Sequence, residues 1–295
     1  MKIIIAKDNN LERHNFFIKF VRIFSVPLLN NLPASFIKRF MKVSSNDAEV
    51  VLDNVGSARA LEVMYGRYHR NLFSRGFLQG VADFFWHHFV SQPKGVRNRL
   101  KIVEDNLDKE VLRILEENKG DKKITLLTIG GGSARGIVEV LNKYSNELKG
   151  WKVSVINVDK SLKAIELGKE LAKEFGLYES FTWINDLAQN VASLVEKKSI
   201  DIVEMVGLLD YFRDEKAIET FSRIYDILKK DGLFMVGNIV PNKEQPFIIK
   251  LGWPSMYYRS AEELSRLLIK SGFFEDKGKI VIEPLKNHVI AVVRK

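Results

Sequence analysis

The stretch Leu126-Leu127-Thr128-Ile129-Gly130-Gly131-Gly132-Ser133-Ala134-Arg135-Gly136 constrains the fold more than any other part of this sequence. A short apolar run, residues 124–129, enters three consecutive glycines, and a helical pattern over 134–144 begins at once. Glycine is required where a backbone turns sharply and where a ligand approaches it with no Cβ in between. A buried strand that ends in such a turn and opens a helix begins a βαβ unit, and βαβ units build a parallel sheet. The turn alone fits a nicotinamide cofactor, a flavin, S-adenosylmethionine, or a tight turn with no ligand.

The chain beyond the turn keeps the same alternation. Strands are expected over 153–158, 181–184, 200–206 and 233–240, with helices over 162–175 and 217–228. Asp231-Gly232 turns the chain into the fifth strand. Ser260 and Glu263 have the spacing of a capping box, and Gly272 stands where a helix C-cap belongs. Two last strands, 279–283 and 289–293, have a short connection and are expected to pair as an antiparallel hairpin. The expected fold is α/β, a Rossmann-like seven-stranded sheet ending in that hairpin, over residues 116–295. Residues 1–115 are expected to form a helical N-terminal region capping the site, with helices over 58–68, 78–89 and 96–116. The boundary falls in 117–123.

Composition narrows the setting. The 295 residues are 46% hydrophobic and include no cysteine, which removes disulfides, thiolate nucleophiles and cysteine metal sites. Residues 1–5 are apolar but too short for a signal peptide, and no run of 18 uncharged apolar residues exists. A cytoplasmic location is expected. Of the net charge of +9, residues 1–115 contribute +7, from 18 Lys/Arg against 11 Asp/Glu. Such a region can face nucleic acid, an anionic membrane or an acidic small molecule, or be an ordinary soluble surface. His87-His88 lacks the spacing of a helical metal site, and no metal is expected. The sequence carries no signal of oligomeric state.

Two acidic residues extend the glycine motif. Asp159 follows the second strand, where a carboxylate can accept hydrogen bonds from ribose hydroxyls. Asp186 follows the third, where it can accept one from an adenine amino group. Each can equally cap the next helix. With the glycines they occupy the carboxyl ends of successive strands, where open α/β sheets bind ligands. On these residues the chain, from about residue 122 to 295, resembles the class I S-adenosylmethionine-dependent methyltransferases. The resemblance implies that S-adenosylmethionine is the cofactor. It places Gly130, Gly131 and Gly132 along the methionine part, Asp159 at the ribose and Asp186 at the adenine, and groups Gly207 with them. One position departs from the family pattern: Thr128 stands where an acidic residue usually supports the cofactor's amino group.

The acceptor is constrained in part. Methylation of cytosine C5 needs a cysteine nucleophile. Methylation of exocyclic base amines usually goes with an Asn/Asp-Pro-Pro-aromatic motif after the fourth strand, and Glu204-Met205-Val206-Gly207 occupies that place. The segment Gly207-Leu208-Leu209-Asp210-Tyr211-Phe212-Arg213-Asp214 resembles one in a bacterial methyltransferase group that includes enzymes making 3-hydroxy fatty acid methyl esters. Val96-Arg97-Asn98-Arg99, Gly237-Asn238 and Tyr258-Arg259 agree with that group, although Leu209 replaces a common aromatic. The resemblance implies a small-molecule acceptor, an acyl carboxylate among the candidates. Arg97, Arg99 and Arg259 are candidates to hold a carboxylate through paired hydrogen bonds, and Tyr211 and Tyr258 to line its pocket. Residues 16–43 are apolar and basic, divided by Pro27 and Pro33 into two pieces. They can lie in a membrane interface; cover for the core or for an acyl-chain tunnel is the expectation. Three other readings stay open: an RNA methyltransferase, a non-catalytic cofactor-binding module, and an oxidoreductase using the Tyr225-x-x-x-Lys229 spacing.

Overall fold

The computed structural model describes residues 1–66, 76–117 and 120–295. One sheet contains β1 (Lys2–Ile5), β2 (Lys123–Ile129), β3 (Lys152–Asp159), β4 (Phe181–Asn185), β5 (Ile200–Met205), β6 (Leu228–Ile239), β7 (Gly278–Ile282) and β8 (His288–Arg294). Their order is β1-β7-β8-β6-β5-β2-β3-β4. β8 runs antiparallel to β6 and β7, and the other pairings are parallel. The seven expected strands are joined by an eighth, a correction to the sequence reading. The run Lys2-Ile3-Ile4-Ile5, too short for a signal, is β-branched and adds to the open edge of β7.

Among the described residues, five helices precede the long helix α6, which leads into the first central strand: α1 (Phe16–Asn31), α2 (Ala34–Ser44), α3 (Asn46–Asp53), α4 (Ala58–Tyr65) and α5 (Phe77–His88). Residues 67 and 68 of the expected 58–68 helix lie outside the described residues. Then follow α6 (Ser91–Glu117), α7 (Arg135–Lys143), α8 (Leu162–Glu174), α9 (Val191–Leu194), α10 (Asp214–Ile227), α11 (Gln245–Leu251) and α12 (Ala261–Lys270). The capping box at the start of α12 is formed, and Gly272 after its end has φ +102°.

Strand alternation sorts the core into two layers. Leu127 and Ile129 point into one, with Phe221 and Ile224 of α10 and Leu264 and Leu268 of α12. Ile124 and Leu126 point into the other, with Leu107 and Val111 of α6 and Ile137 and Leu141 of α7. α6 therefore belongs to the sheet core, and a division after residue 115 does not follow the packing. A third cluster joins α2–α5 and α11 around Trp86 and Phe247.

The structure also corrects the reading of 16–43. Pro27 lies inside α1, so only the Leu32-Pro33 step breaks the segment, where the helices bend by 115°. The phenylalanines of both helices lie on the surface rather than over a core or tunnel, each more than half exposed.

Candidate active site

Travelling along the sheet, the chain leaves β2 for β3 and β4, then returns to β5 on the other side. Such a reversal opens a crevice at the strand carboxyl ends. Here it has a volume of about 600 Å³, and Gly130, Gly131, Gly132, Asp159, Asp186, Glu204 and Gly207 line it. Gly130 and Gly132 have φ +62° and +54°, the left-handed region that glycine enters without strain. Gly131 is needed for space: a Cβ there would lie 2.1 Å from Thr128 Oγ1. The Gly132 N–H donates to Asp159 Oδ2 at 3.0 Å and the Ser161 N–H to Oδ1 at 2.8 Å, fixing the carboxylate opposite the turn. Asp186 accepts from the Leu187 N–H and from Asn190 Nδ2, both at 2.7 Å.

The start of α4 packs over this turn. A Cβ on Gly132 would meet Ala58 Cβ at 3.1 Å. Glu62 of α4 accepts from Ser133 Oγ at 2.5 Å and pairs with Arg135 at the start of α7, where a helix favours negative charge.

Glu204 carries no motif signal, yet it answers the departure at Thr128. β2 and β5 pair with Thr128 opposite Glu204, and Thr128 Oγ1 donates to Glu204 Oε2 at 2.6 Å. A carboxylate therefore stands beside the first glycine turn, supplied from the neighbouring strand. Burial pushes its pKa up to about 7, against the hydrogen bond from Thr128 and the charge of Arg99.

A second, smaller cavity of about 60 Å³ adjoins the crevice and shares Gly56, Ser57, Leu61, Gly207 and Tyr211 with it. Trp86, Gln92, Arg99 and His288 also line it. Trp86 Nε1, Gln92 Nε2, Arg99 Nε and both ring nitrogens of His288 are buried without a hydrogen-bond partner among the described residues. Buried polar atoms are nearly always paired, so this concentration around one cavity calls for a physical reason. Three of the orphans are pure donors. Arg99 Nη2 reaches Tyr65 Oη at 3.5 Å, and a Cβ on Gly207 would lie 3.5 Å from the same nitrogen. Burial opposes the Arg99 charge, but Tyr65, Asp210 and Glu204 outweigh it and hold the pKa above its ordinary value. Burial, reinforced by Arg99, drives His288 well below its ordinary pKa, so the ring is neutral.

The other expected acceptor residues divide. Arg97 is buried and engaged by the carboxylate of Glu12 and the carbonyls of His87 and Met64. Arg259 is bound by Asp214, Asn238 Oδ1 and the carbonyls of Phe212 and Leu209. Neither lines the crevice or the cavity. Arg259 instead fastens the Gly207–Asp214 segment to the end of β6, as does Asp210, whose Oδ1 accepts from the Ile239 N–H at 2.7 Å. Tyr211 lines both spaces. Tyr258 lines neither, and its buried hydroxyl has no partner among the described residues. Burial and Asp210 push both phenols up to about 12, so they stay protonated near neutral pH. Tyr225 and Lys229 lie where α10 meets the amino end of β6, the opposite edge from the crevice, with Tyr225 against Phe273 and Lys229 paired with Asp201. That placement removes the oxidoreductase reading.

No protein-family profile matches the chain, and no curated protein matches it in sequence. Solved structures do match it. A possible exported protein from Bordetella parapertussis is 14% identical, covers 84% of this chain and 82% of its own, and has a TM-score of 0.64. The CurJ carbon methyltransferase is 15% identical over 88% of this chain and 70% of its own, with a TM-score of 0.54. An O-methyltransferase family protein from Burkholderia thailandensis is 12% identical over 95% and 70%, with a TM-score of 0.50. The chain has the Rossmann-like fold of the S-adenosylmethionine-dependent methyltransferases.

Proposed function

We propose that the protein is an S-adenosylmethionine-dependent methyltransferase that esterifies the carboxylate of a small acid with an apolar tail. The observation that carries the acceptor is the ring of unpaired donors around the small cavity. A carboxylate accepts hydrogen bonds and donates none, and Trp86, Gln92 and Arg99 offer donors to match. At about 60 Å³ the cavity admits a carboxylate or a few waters, not an acyl chain, so the tail lies outside it.

The crevice fits the cofactor. Its volume falls in the range of small-molecule sites, and acidic groups stand along it in three places. Asp159 would hold the ribose hydroxyls, Asp186 the adenine edge, and Glu204 the ammonium of the methionine part. When bound, S-adenosylmethionine supplies an electrophilic methyl group on a sulfonium. Arg99 would orient one acceptor oxygen toward Gly207, between the two spaces. An ionised carboxylate gives up no proton on methylation, so neither the neutral His288 nor the protonated tyrosines need serve as a base. Catalysis is then positioning and electrostatics. The carboxylate at Glu204 also removes the only support for a non-catalytic module, the threonine at 128.

Incubation of the full chain with labelled S-adenosylmethionine and straight-chain and 3-hydroxy acids, read by mass spectrometry, is expected to yield methyl esters. Methylation of an amine or of RNA, with no ester from any acid, would overturn the acceptor assignment and leave the fold untouched.

Two binding measurements test the cofactor pose. Asp159→Ala is expected to weaken S-adenosylhomocysteine binding by roughly 1–3 kcal/mol in calorimetry. Tighter binding of NADH than of S-adenosylhomocysteine would refute the pose. The second measurement is pH dependence. Glu204 faces Thr128 on β2, Arg99 on α6 and Tyr65 on α4. Its raised pKa disfavours the ionised form that a cationic ammonium needs, so affinity should rise with pH through about 7. Linkage gives about a tenfold gain between pH 6 and pH 8. Glu204→Gln should flatten that profile, and a slope that persists in the variant would assign the titration to another group.

A further inference from the structure

We infer that α1, α2 and α5 form a docking surface for an anionic lipid bilayer, on which the protein lies with its cap against the membrane. Thirteen of the 22 large apolar side chains exposed among the described residues come from these three helices. On α1, Phe16, Phe17 and Phe24 are 86%, 72% and 67% exposed; on α2, Phe40 and Val43 are 62% and 80% exposed. Monomeric soluble proteins rarely display so much contiguous apolar surface. The helices adjoin one another. α2 packs on α5, and Arg22 of α1 donates to the Phe89 carbonyl at the end of α5 and lies over its ring.

Charge selects the occupant. Residues 13–46 contain six Lys/Arg and no Asp or Glu. Two copies of such a surface would repel each other, whereas anionic headgroups complement it. Lys19 and Lys38 interleave with the phenylalanines along α1 and α2, the pattern of helices that lie in an interface plane with cationic side chains reaching the headgroups. No single described helix is long and apolar enough to cross a membrane; α1 and α2 reach that length and composition only as a pair bent by 115°, and the lysines spaced among their phenylalanines favour a position in the interface plane. α5 links this surface to the site: Phe84 and Phe85 face outward, and Trp86 between them and His87 lines the small cavity. An acceptor with an apolar tail held in lipid would then present its head to Arg99, a consequence that rests on the proposed function, although the docking itself does not.

The test is co-sedimentation of the full chain with vesicles of phosphatidylcholine containing about 30% phosphatidylglycerol, against vesicles of phosphatidylcholine alone. Binding is expected to the anionic vesicles, weakened at least tenfold on neutral ones and by raised salt. The pair Phe17→Asp and Phe24→Asp, both on exposed side chains, should abolish it while leaving S-adenosylhomocysteine binding and circular dichroism unchanged. Lys19→Glu with Lys38→Glu should weaken it without touching the apolar contacts. No binding to anionic vesicles, binding that survives the aspartate pair, or a solution dimer that the aspartate pair dissolves would each overturn the inference. Because the readout is sedimentation rather than methyl transfer, failure here leaves the proposed reaction standing, and the reverse holds as well.

Discussion

Replacing Arg99 with glutamine should lower turnover at least about 100-fold while leaving cofactor affinity within about threefold of the parent, because one preorganised charged donor at a reacting oxygen is worth that much. The guanidinium is buried, lines the small cavity and has an Nε with no partner among the described residues, so its removal deletes the one fixed positive charge that the described residues bring to that cavity. The comparison belongs at about pH 8.5. Arg99 lowers the pKa of Glu204, and its loss would push that carboxyl further up and weaken cofactor binding at neutral pH for an indirect reason. Above the range of Glu204 the two effects separate. Arg99→Lys keeps the charge but loses the planar fork, and an intermediate turnover is expected. Arg97→Ala and Arg259→Ala supply the contrast. Their guanidinium groups hold Glu12 and the Gly207–Asp214 segment, so these changes should lower thermal stability first. Equal loss of turnover and cofactor affinity in Arg99→Gln would mean that the arginine supports the fold of the crevice rather than the acceptor.

The contrast between Arg97 and Arg99 shows what the sequence could and could not reveal. Both stand in one short motif. On a helix of 3.6 residues per turn, residues two apart point to opposite sides, so only one of them can face the cavity. Periodicity states this but does not say which. The glycine turn, the two strand-end aspartates and the parallel sheet were legible because each rests on local chemistry: a strand, a turn residue and a cap in unbroken order. Glu204 was hidden because its meaning depends on strand pairing. Thr128 looks like a missing acid until β5 is laid beside β2, 76 residues on, with Glu204 opposite it. The donors around the small cavity arise on α5, α6 and β8, and no spacing rule joins them. In residues 16–43 composition declared an apolar segment but not which side meets the core. Its phenylalanines recur at helical spacing, as they would in a buried helix, and only packing shows that they face out.

A single methyl at Gly131 is expected to do more damage than most changes in the crevice, and to do it through Thr128. A Cβ at 131 would lie 2.1 Å from Thr128 Oγ1, 2.7 Å from Cγ2 and 2.9 Å from Cβ. The threonine cannot swing aside freely, because its hydroxyl is held by Glu204 and its β-branched side chain has few rotamers. Overpacking of this kind costs about 1–3 kcal/mol, and more where the neighbour is fixed. Gly131→Ala should therefore displace the turn that Gly130 and Gly132 set, lower the melting temperature and reduce S-adenosylhomocysteine affinity by about tenfold or more. Thr128→Ala removes the two nearest atoms and leaves only the 2.9 Å contact. The double variant should accordingly recover part of both losses, with a coupling of at least 1 kcal/mol between the positions. It should not recover all of the affinity. Without the threonine hydroxyl, Glu204 loses the hydrogen bond that lowers its pKa, so the carboxyl titrates higher and the affinity gain on raising pH moves upward with it. The two defects then carry different signatures, one in thermal stability at any pH and one in the pH profile of binding. Strictly additive losses in the double variant would show that the 128 and 131 side chains do not meet, and that the middle glycine serves the ligand rather than the turn.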